Sequence, residues 1–346
     1  MDYILKTKNG ITVTVDYRTE LLGIIMYLSE YDKKCPIRYI EEAPNKSYIE
    51  KIINDFSSYK DDSIIKQFKS LYEYPHDFSY DAPINMFLQL DENFDCEKLN
   101  DYIFEERLKS DESVYSFIKG LKSFADKIDF ASYYNNYKSN YELYINSVLS
   151  CFDSIDINSY LNSYFGSKIE KDYIINLLPF ATLGGYNATF DKKIYSSIAV
   201  DPNNSTKDNL FDIKYKDAFV VTNIHEFCHG YVDPITDKLS LVTDNTTLFD
   251  DIRDNMKQQA YPSDKEIINE HINRAIELRT IKNIYHNDEW YDYRIKHEKE
   301  NGFIYIDVVE ESLQEYEQNR DIYSTFDMFY PIIIERIKSY KNKKDM

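Results

Sequence analysis

The first hydrophobic pattern along the chain is a strict alternation, which is typical of a β-hairpin. Residues 3–6 and 11–15 alternate apolar and polar positions on either side of Asn9-Gly10. An Asn-Gly pair between two such runs favours a tight turn. From about Thr19 the apolar residues recur with the helical period, at Leu21, Leu22, Ile25, Met26 and Leu28. The N-terminal stretch therefore predicts a hairpin followed by an amphipathic helix.

A long helical pattern then extends from about residue 47 to residue 164. Pro75, Pro83, Gly120 and clusters of Asp and Asn divide it into shorter runs, because such residues interrupt helices. The helical segments predicted within it cover residues 47–58, 63–73, 83–90, 98–108, 112–126 and 131–151. This part of the chain is predicted to be helical almost throughout.

The pattern changes character after residue 170. Residues 173–178 and 193–200 are rich in β-branched and aromatic residues and predict strands, with Gly184-Gly185 as a turn between them. Helical periodicity returns at about residues 263–284, 301–318 and 321–341. No internal repeat or long linker marks a domain boundary. The predicted fold class is α+β, predominantly α-helical, with a small mixed sheet.

Charge narrows the range of partners. The 346 residues carry 41 Lys and Arg against 60 Asp and Glu, a net charge of −19. Such an acidic chain is not expected to bind nucleic acid or an anionic membrane. No run of about 18 apolar residues and no signal-like N-terminal stretch occurs, so we expect a cytoplasmic protein. The four cysteines are scattered without C-x-x-C spacing, which favours reduced thiols.

The candidate chemistry lies in residues 222–234, which read TNIHEFCHGYVDP. His225 and His229 are four residues apart, so a helix would present both imidazoles to one metal ion, with Glu226 beside it. The preceding residues are strongly apolar, and Gly230 and Pro234 predict that the helix ends close by. An H-E-x-x-H match by chance is expected roughly 0.01 times in such a chain. The alternative is that two helix histidines merely bond carboxylates or pack in the core.

A catalytic zinc needs a third protein ligand and one open position for water. The extended pattern H-E-x-x-H-x-x-G-x-x-H is excluded, because Val232 and Ile235 stand where it has Gly and His. A glutamate on a later helix is the other solution, and the helical segment 265–277 offers Glu270. Two rivals in the same segment are Glu266 and Glu277. Glu270 is the preferred third ligand.

These motifs resemble those of known metallopeptidases. The H-E-x-x-H motif with a later N-E-x-x-x-R-A helix resembles the gluzincins, and HEFCHGYVDP is similar to an uncharacterised bacterial family of predicted zincin-like peptidases. Residues 16–29, 183–186 and 316–326 resemble further stretches of that family. The resemblance implies a single two-lobed, zincin-like catalytic unit over residues 1–346. Its upper lobe would be residues 1–234, with the sheet, the helical segment 47–164 and the motif helix, and its lower lobe would be residues 235–346.

The resemblance also implies a mechanism. Zn²⁺ held by His225, His229 and Glu270 would lower the pKa of a bound water to about 7. Glu226 would take its proton, and the hydroxide would attack a bond in a peptide or protein substrate. The oxyanion needs a second donor. Tyr323 is preferred, and the other candidates are Arg320, Tyr316, His271, His286 and His297.

Some interpretations stay open at this point. Residues 193–200 would be an edge strand that holds substrate, or an ordinary interior strand. Thermolysin-like relatives have an aspartate where this chain has Arg274, so Asp233, a carboxylate from the last helices or a backbone carbonyl must orient a zinc histidine. Cys228 is interpreted as a small buried residue, with redox regulation as the alternative. A zincin fold that binds peptides or a protein without turnover, with structural zinc, is the alternative function, and a helical interaction protein without metal is a third.

Overall fold

A computed structural model describes residues 4–33, 44–73, 78–100, 108, 111–167, 170–182, 184–243 and 247–344. These residues form an α+β protein that is mostly helical and contains one mixed five-stranded sheet. Internal contacts divide the chain into two compact units, residues 1–155 with 172–216, and residues 156–171 with 217–346. Within the described ranges, each helix is too short or too polar to cross a membrane.

The sheet belongs to the first unit. Its strands are β1 (Leu5–Lys8), β2 (Ile11–Thr14), β3 (Asp172–Thr182), β4 (Gly185–Phe190) and β5 (Lys193–Val200). They lie in the order β1-β2-β3-β5-β4, with β2, β3 and β5 parallel and the two outer strands antiparallel to their neighbours. Ile11, Tyr173 and Ile194 are in register across the three parallel strands and all are buried. The predicted hairpin and both predicted strands are therefore confirmed.

The strand predicted as a possible substrate-holding edge is an interior strand. β5 pairs with β3 on one side and with β4 on the other. Residues 194–200 are all buried, which is typical of a central strand covered on both faces. The sequence pattern does not predict β4, because Gly184-Gly185 indicates only a turn between two strands. The edge-strand interpretation of residues 193–200 is wrong, and the interior alternative is correct.

Seven helices described in the first unit agree closely with the predicted segments. They are α1 (Tyr17–Leu28), α2 (Lys46–Phe56), α3 (Ser63–Tyr72), α4 (Ala82–Gln89), α5 (Asp111–Lys127), α6 (Phe130–Asn136) and α7 (Lys138–Leu149). Asp16 and Asp62 cap α1 and α3 by accepting the backbone N–H two residues on, as N-cap carboxylates do. The helix expected over 131–151 is divided at Tyr137. Most of the helix expected over 98–108 lies outside the described residues.

The second unit is helical. Its helices are α8 (Ile157–Phe165), α9 (Lys216–Leu239, of which Lys216 belongs to the first unit), α10 (Arg253–Gln258), α11 (Asp264–Thr280), α12 (Asp288–Glu300), α13 (Ile306–Gln318) and α14 (Phe326–Lys344). The helices α8, α10 and α12 were not predicted separately. Fully buried residues of α11, α13 and α14 form much of its core. They include Ile267, Ile272, Val309, Leu313, Ile333 and Ile337.

Helix α9 continues past the point where the sequence predicted its end. Proline lacks an N–H and normally leaves the carbonyl four residues earlier without a partner. Here that carbonyl belongs to Gly230, and Lys171 Nζ donates to it at 3.1 Å. Residue 234, at which the upper lobe is expected to end, therefore lies inside a helix, and the division into two lobes stays a prediction.

Candidate metal centre

The two motif histidines lie on one face of α9. Their ring centroids are 5.1 Å apart, with the planes inclined at 69°. His225 is buried and His229 is half-buried. The apolar residues before them, including Val220, Val221 and Ile224, are buried in the same helix. The spacing of four residues thus brings both imidazoles together, as the sequence predicted.

Glu270 on α11 completes a three-residue group. Its Oε1 lies 3.2 Å from His229 Nε2, and its Oε2 lies 3.7 Å from His225 Nε2. One ligand atom from each of the three side chains lies within 4.8 Å of the others. Glu270 is only 6 % exposed. Among the described residues, the structure therefore assembles a buried group that can hold a metal ion.

Two further carboxylates hold the outer sides of the imidazoles. Glu277 Oε1 lies 2.7 Å from His225 Nδ1, and both carboxylate oxygens of Asp233 lie 3.2 Å from His229 Nδ1. Both Nε2 atoms are thereby left facing Glu270. Carboxylates in this position fix the tautomer and orientation of a metal-binding imidazole. Asp233 was among the residues proposed for this role, whereas Glu277 was considered only as a rival ligand.

The position of each rival glutamate has a simple cause. Glu277 is two helical turns after Glu270, so both side chains project from the same face of α11. That spacing was the signal in the sequence, but Glu277 reaches the far nitrogen of the imidazole and not the shared space. Glu266 lies in the first turn, where it accepts from the N–H of Ser263 at 2.8 Å while the Ser263 side chain accepts from its own N–H. Glu266 is therefore used in a capping box.

Two arginines balance this carboxylate cluster. Arg274 Nη2 lies 3.2 Å from Glu270 Oε2, and its Nη1 lies 3.1 Å from Glu298. Arg294 Nη2 lies 2.6 Å from Glu277 and 2.9 Å from Glu298. Glu298 is almost completely buried. A buried carboxylate is stable only when it is paired, so the arginines allow three glutamates to be packed around the histidines.

The carboxylates favour the charged form of both histidines. Burial by itself would lower the pKa of His225, but Glu270 and Glu277 outweigh this effect and raise it to about 9. Burial would likewise lower the pKa of His229, and Asp233 and Glu270 raise it well above its ordinary value. The polypeptide thus provides a strongly negative environment around the two imidazoles, and this environment also attracts a metal cation.

The carboxylates respond in the opposite direction. Burial would raise the pKa of Glu270, but the two histidines and Arg274 hold it well below its usual range. Burial would also raise the pKa of Glu277, and His225 and Arg294 lower it to about 2. Both groups are therefore ionised near neutral pH. An ionised carboxylate is the form that binds metal.

The spacing of the group is suitable for a metal ion. One oxygen of Glu270 lies 3.2 Å from His229 Nε2 and the other lies 3.7 Å from His225 Nε2, so donor atoms of all three side chains face one small space. Glu270 Oε2 is buried and forms an ion pair with Arg274 Nη2 at 3.2 Å, but within the described part of the chain it receives no hydrogen bond of good geometry. A buried acceptor without a donor costs free energy unless a cation or water satisfies it. The group present here fits a divalent metal with nitrogen and oxygen ligands.

Glu226 follows the first histidine and is half-buried. Burial raises the pKa of its carboxyl, while the charges on His225 and His229 oppose that rise. A carboxylate with a raised pKa is a stronger base than one in water. Glu226 is therefore a stronger base than an exposed carboxylate, and it directly follows one member of the three-residue group.

The residues predicted as oxyanion donors have other contacts. Tyr323 packs its ring against Phe329 at 4.9 Å, and none of its contacts in the described chain is to the three-residue group. Tyr316 donates its hydroxyl to the carbonyl oxygen of Tyr164 at 2.7 Å. Arg320 also donates to that carbonyl and lies 4.3 Å over the Tyr316 ring. Tyr316 and Arg320 are thus engaged in packing, and the role of Tyr323 stays a prediction.

The three histidines that were further candidates for the oxyanion donor all belong to the second unit. His271 is completely buried among aromatic rings and its Nδ1 lies 2.7 Å from the carbonyl oxygen of Ile267. Burial lowers the pKa of His271 to about 4. His286 is exposed and His297 is half-buried. Cys228 is fully buried on α9, as predicted, and burial raises the pKa of its thiol well above the ordinary value, so it is not a reactive thiolate.

Fold and site together define a mostly helical α+β protein with a buried group of two histidines and one glutamate that can hold a metal ion. Residues 11–336 match the family described as a domain of unknown function, DUF4932, and the chain belongs to this family. No curated protein and no solved structure matches the chain.

Proposed function

We propose that the chain is a zinc-dependent metallopeptidase of the gluzincin type with a zincin-like fold. The observation that carries this proposal is the convergence of Glu270 with His225 and His229 around a shared space, with Glu226 next to them. Such hydrolysis requires two histidine ligands, a distal glutamate ligand and an adjacent glutamate that acts as the general base.

Each residue has a distinct role in this proposal. His225, His229 and Glu270 would hold Zn²⁺, which when bound supplies a Lewis acid that acidifies water and polarises a carbonyl. Glu226 accepts the proton of the attacking water, and its raised pKa suits this role. Glu277 contacts His225 and Asp233 contacts His229, and both carboxylates keep the Nε2 atom of their histidine directed toward the shared space.

The number of ligands favours turnover over structural zinc. Structural zinc sites are usually closed by four protein ligands, whereas catalytic sites have three and leave one position for water. The group found among the described residues has three members. A peptide- or protein-binding module with structural zinc is the competing function, and it predicts occupied sites without cleavage. The net charge of −19 favours neutral or basic peptide substrates.

The decisive experiment measures metal and hydrolysis together. Protein purified without a histidine tag is expected to hold one zinc per chain and to cleave members of a broad peptide library under reducing conditions. Glu226→Gln keeps the shape of the side chain but cannot accept a proton, so zinc content should stay at one while cleavage falls about 10²- to 10⁴-fold. His229→Ala should lose both.

Glu289→Gln is the matched control, because Glu289 is exposed on α12. It should leave zinc content and cleavage unchanged. Full activity in Glu226→Gln would contradict the proposal. Stoichiometric zinc without any cleavage by the wild type would favour the binding module, and the absence of zinc would exclude both functions.

A further inference from the structure

One nitrogen of Arg274 connects the candidate metal centre to a tyrosine that the sequence did not indicate. Arg274 Nη2 donates to the hydroxyl of Tyr261 at 3.2 Å, and the same nitrogen lies 3.2 Å from Glu270 Oε2. Tyr261 lies between α10 and α11, just before the capping box of α11. The phenol oxygen is therefore separated from a ligand atom by a single guanidinium nitrogen.

The Arg274–Tyr261 pair is held rigidly. The guanidinium lies 4.3 Å over the ring of Phe303 and its Nη1 pairs with buried Glu298 at 3.1 Å. The Tyr261 ring packs edge-on against the same Phe303 ring, with centroids 6.1 Å apart. Its backbone N–H donates to the carbonyl oxygen of Met256 at 3.0 Å, and the next residue is a proline, which restricts the backbone before it. The hydroxyl is thus preorganised without a ligand.

The hydrogen atom of this hydroxyl is available. Tyr261 accepts from Arg274, and no acceptor for its own proton occurs among the described residues. The side chain is half-buried, so the hydroxyl is not sealed in the core. Glu226 and Glu270 both act electrostatically on the phenol and, after burial itself, help to raise its pKa. The phenol therefore stays protonated near neutral pH, within electrostatic reach of both carboxylates.

We propose that Tyr261 donates a hydrogen bond to the carbonyl oxygen of the scissile bond as negative charge develops on it, and that Arg274 is the residue that positions this hydroxyl. This inference rests on the proposed function. The phenol keeps its proton throughout, and the adjacent guanidinium strengthens the donor. A fixed donor aimed at developing charge stabilises the transition state more than the ground state.

The experiment compares three tyrosine variants with the wild type. Tyr261→Phe removes only the hydroxyl, Tyr323→Phe removes the donor preferred from the sequence, and Tyr293→Phe is the control because Tyr293 is 64 % exposed on α12. Zinc content, kcat, KM and the affinity for a mixture of phosphinic pseudotripeptides with randomised side chains are measured. The phosphinic group imitates the tetrahedral oxyanion, and its binding requires no turnover.

We expect Tyr261→Phe to retain one zinc and to lose about 10²- to 10³-fold in kcat, with little change in KM. Its affinity for the phosphinic mixture should fall in parallel, while Tyr293→Phe behaves like the wild type. Arg274→Lys should show a smaller loss in the same direction, because lysine keeps the charge but cannot make the same bridging contacts.

Three results would overturn the inference alone: a kcat within threefold of the wild type in Tyr261→Phe, loss of zinc in that variant, or a large loss of kcat confined to Tyr323→Phe. A wild-type protein that holds zinc but neither cleaves peptides nor binds the phosphinic mixture would overturn the proposed function as well. If the wild type does not cleave but binds the mixture, and Tyr261→Phe weakens that binding, the contact with Tyr261 is supported and the turnover is not.

Discussion

His225 illustrates how strongly single contacts determine the candidate site. Its Nδ1 faces Glu277 at 2.7 Å and its Nε2 faces Glu270 at 3.7 Å. Glu277 therefore orients the imidazole ring, while Glu270 faces the nitrogen that is directed toward the shared space of the three-residue group. The two glutamates are chemically identical, and only their positions along α11 give them different roles. A sequence pattern cannot assign these roles, because both lie on the same face of the helix.

The two roles predict different losses of metal. Glu277→Gln should keep a polar side chain beside the imidazole but remove the negative charge that orients it, so zinc affinity should fall about 10- to 100-fold. Glu270→Gln should abolish stoichiometric binding, because it replaces a ligand. Competition with a chelating dye measures both affinities, with Glu289→Gln as the control. Equal losses in the two variants would show that the distinction between ligand and orienting residue is wrong.

Glu20 is a second buried carboxyl whose surroundings have a measurable effect. It is 2 % exposed, and the hydroxyls of Tyr48 and Tyr141 both donate to its Oε2. Burial nevertheless dominates and raises its pKa from 4.5 to about 7. Between these values the folded chain holds a proton that the unfolded chain has released, so the free energy of unfolding falls as pH rises through this range.

We therefore expect Glu20 to reduce the free energy of unfolding by about 3 kcal/mol between pH 4.5 and pH 7.5. Glu20→Gln should remove this dependence, because glutamine has no charge to release. Urea unfolding of the full-length protein at several pH values measures the difference in the pH dependence of stability. Glu50→Gln, on the exposed face of α2, is the control. Parallel pH profiles for the wild type and Glu20→Gln would refute the assignment.

At the scale of elements, α9 depends on a contact that its own sequence does not contain. The helix accommodates Pro234 because Lys171 donates to the carbonyl oxygen of Gly230. Lys171 also lies 5.1 Å from the centre of the Tyr231 ring. The sequence pattern predicted that the helix ends near this proline. Local patterns do not reveal the lysine that stabilises it, because that lysine lies 59 residues earlier in the chain than Gly230.

A double-mutant cycle tests this account of α9. Lys171→Met should reduce the free energy of unfolding by about 1 kcal/mol, because it leaves the Gly230 carbonyl without a partner. In a Pro234→Ala background the alanine N–H can bond the same carbonyl, so the lysine should matter less. The expected coupling is about 1 kcal/mol, measured by chemical unfolding. Strictly additive effects would mean that the lysine acts only through its ring contact.

Some elements of the fold follow from local patterns in the sequence, and others depend on contacts with distant residues. The hairpin, α1 to α5, β5 and α11 follow from periodicity and capping residues, which are local signals. The preference for Glu270 rested on the need for a third ligand from a later helix, and no local signal distinguishes it from Glu277. The strand β4, the break at Tyr137 and the extension of α9 depend on pairing and packing with distant residues. Tyr261 was missed for the same reason, since its significance comes from Arg274 and not from a motif.

At the scale of the whole chain, the acidic residues form two groups, one exposed and one buried, and the two groups have different effects. Exposed acidic residues give the net charge of −19, whereas Glu270, Glu277, Glu298 and Glu310 are buried and paired with histidine or arginine. Composition predicted the first group and its consequence for partners. It gave no indication of the second group, which creates the environment of the candidate metal centre.

The second unit is built from two separate parts of the chain, and this determines when it can fold during synthesis. Helix α8 has nine residues, too few to be stable alone in water. Its partners come much later: Phe165 stacks on Tyr231 at 4.3 Å, and Tyr316 donates to the carbonyl of Tyr164, 152 residues away. A ribosome therefore releases α8 long before those partners exist. The three residues that can hold a metal ion are all synthesised in the interval, and this unit can close only when synthesis has passed residue 316.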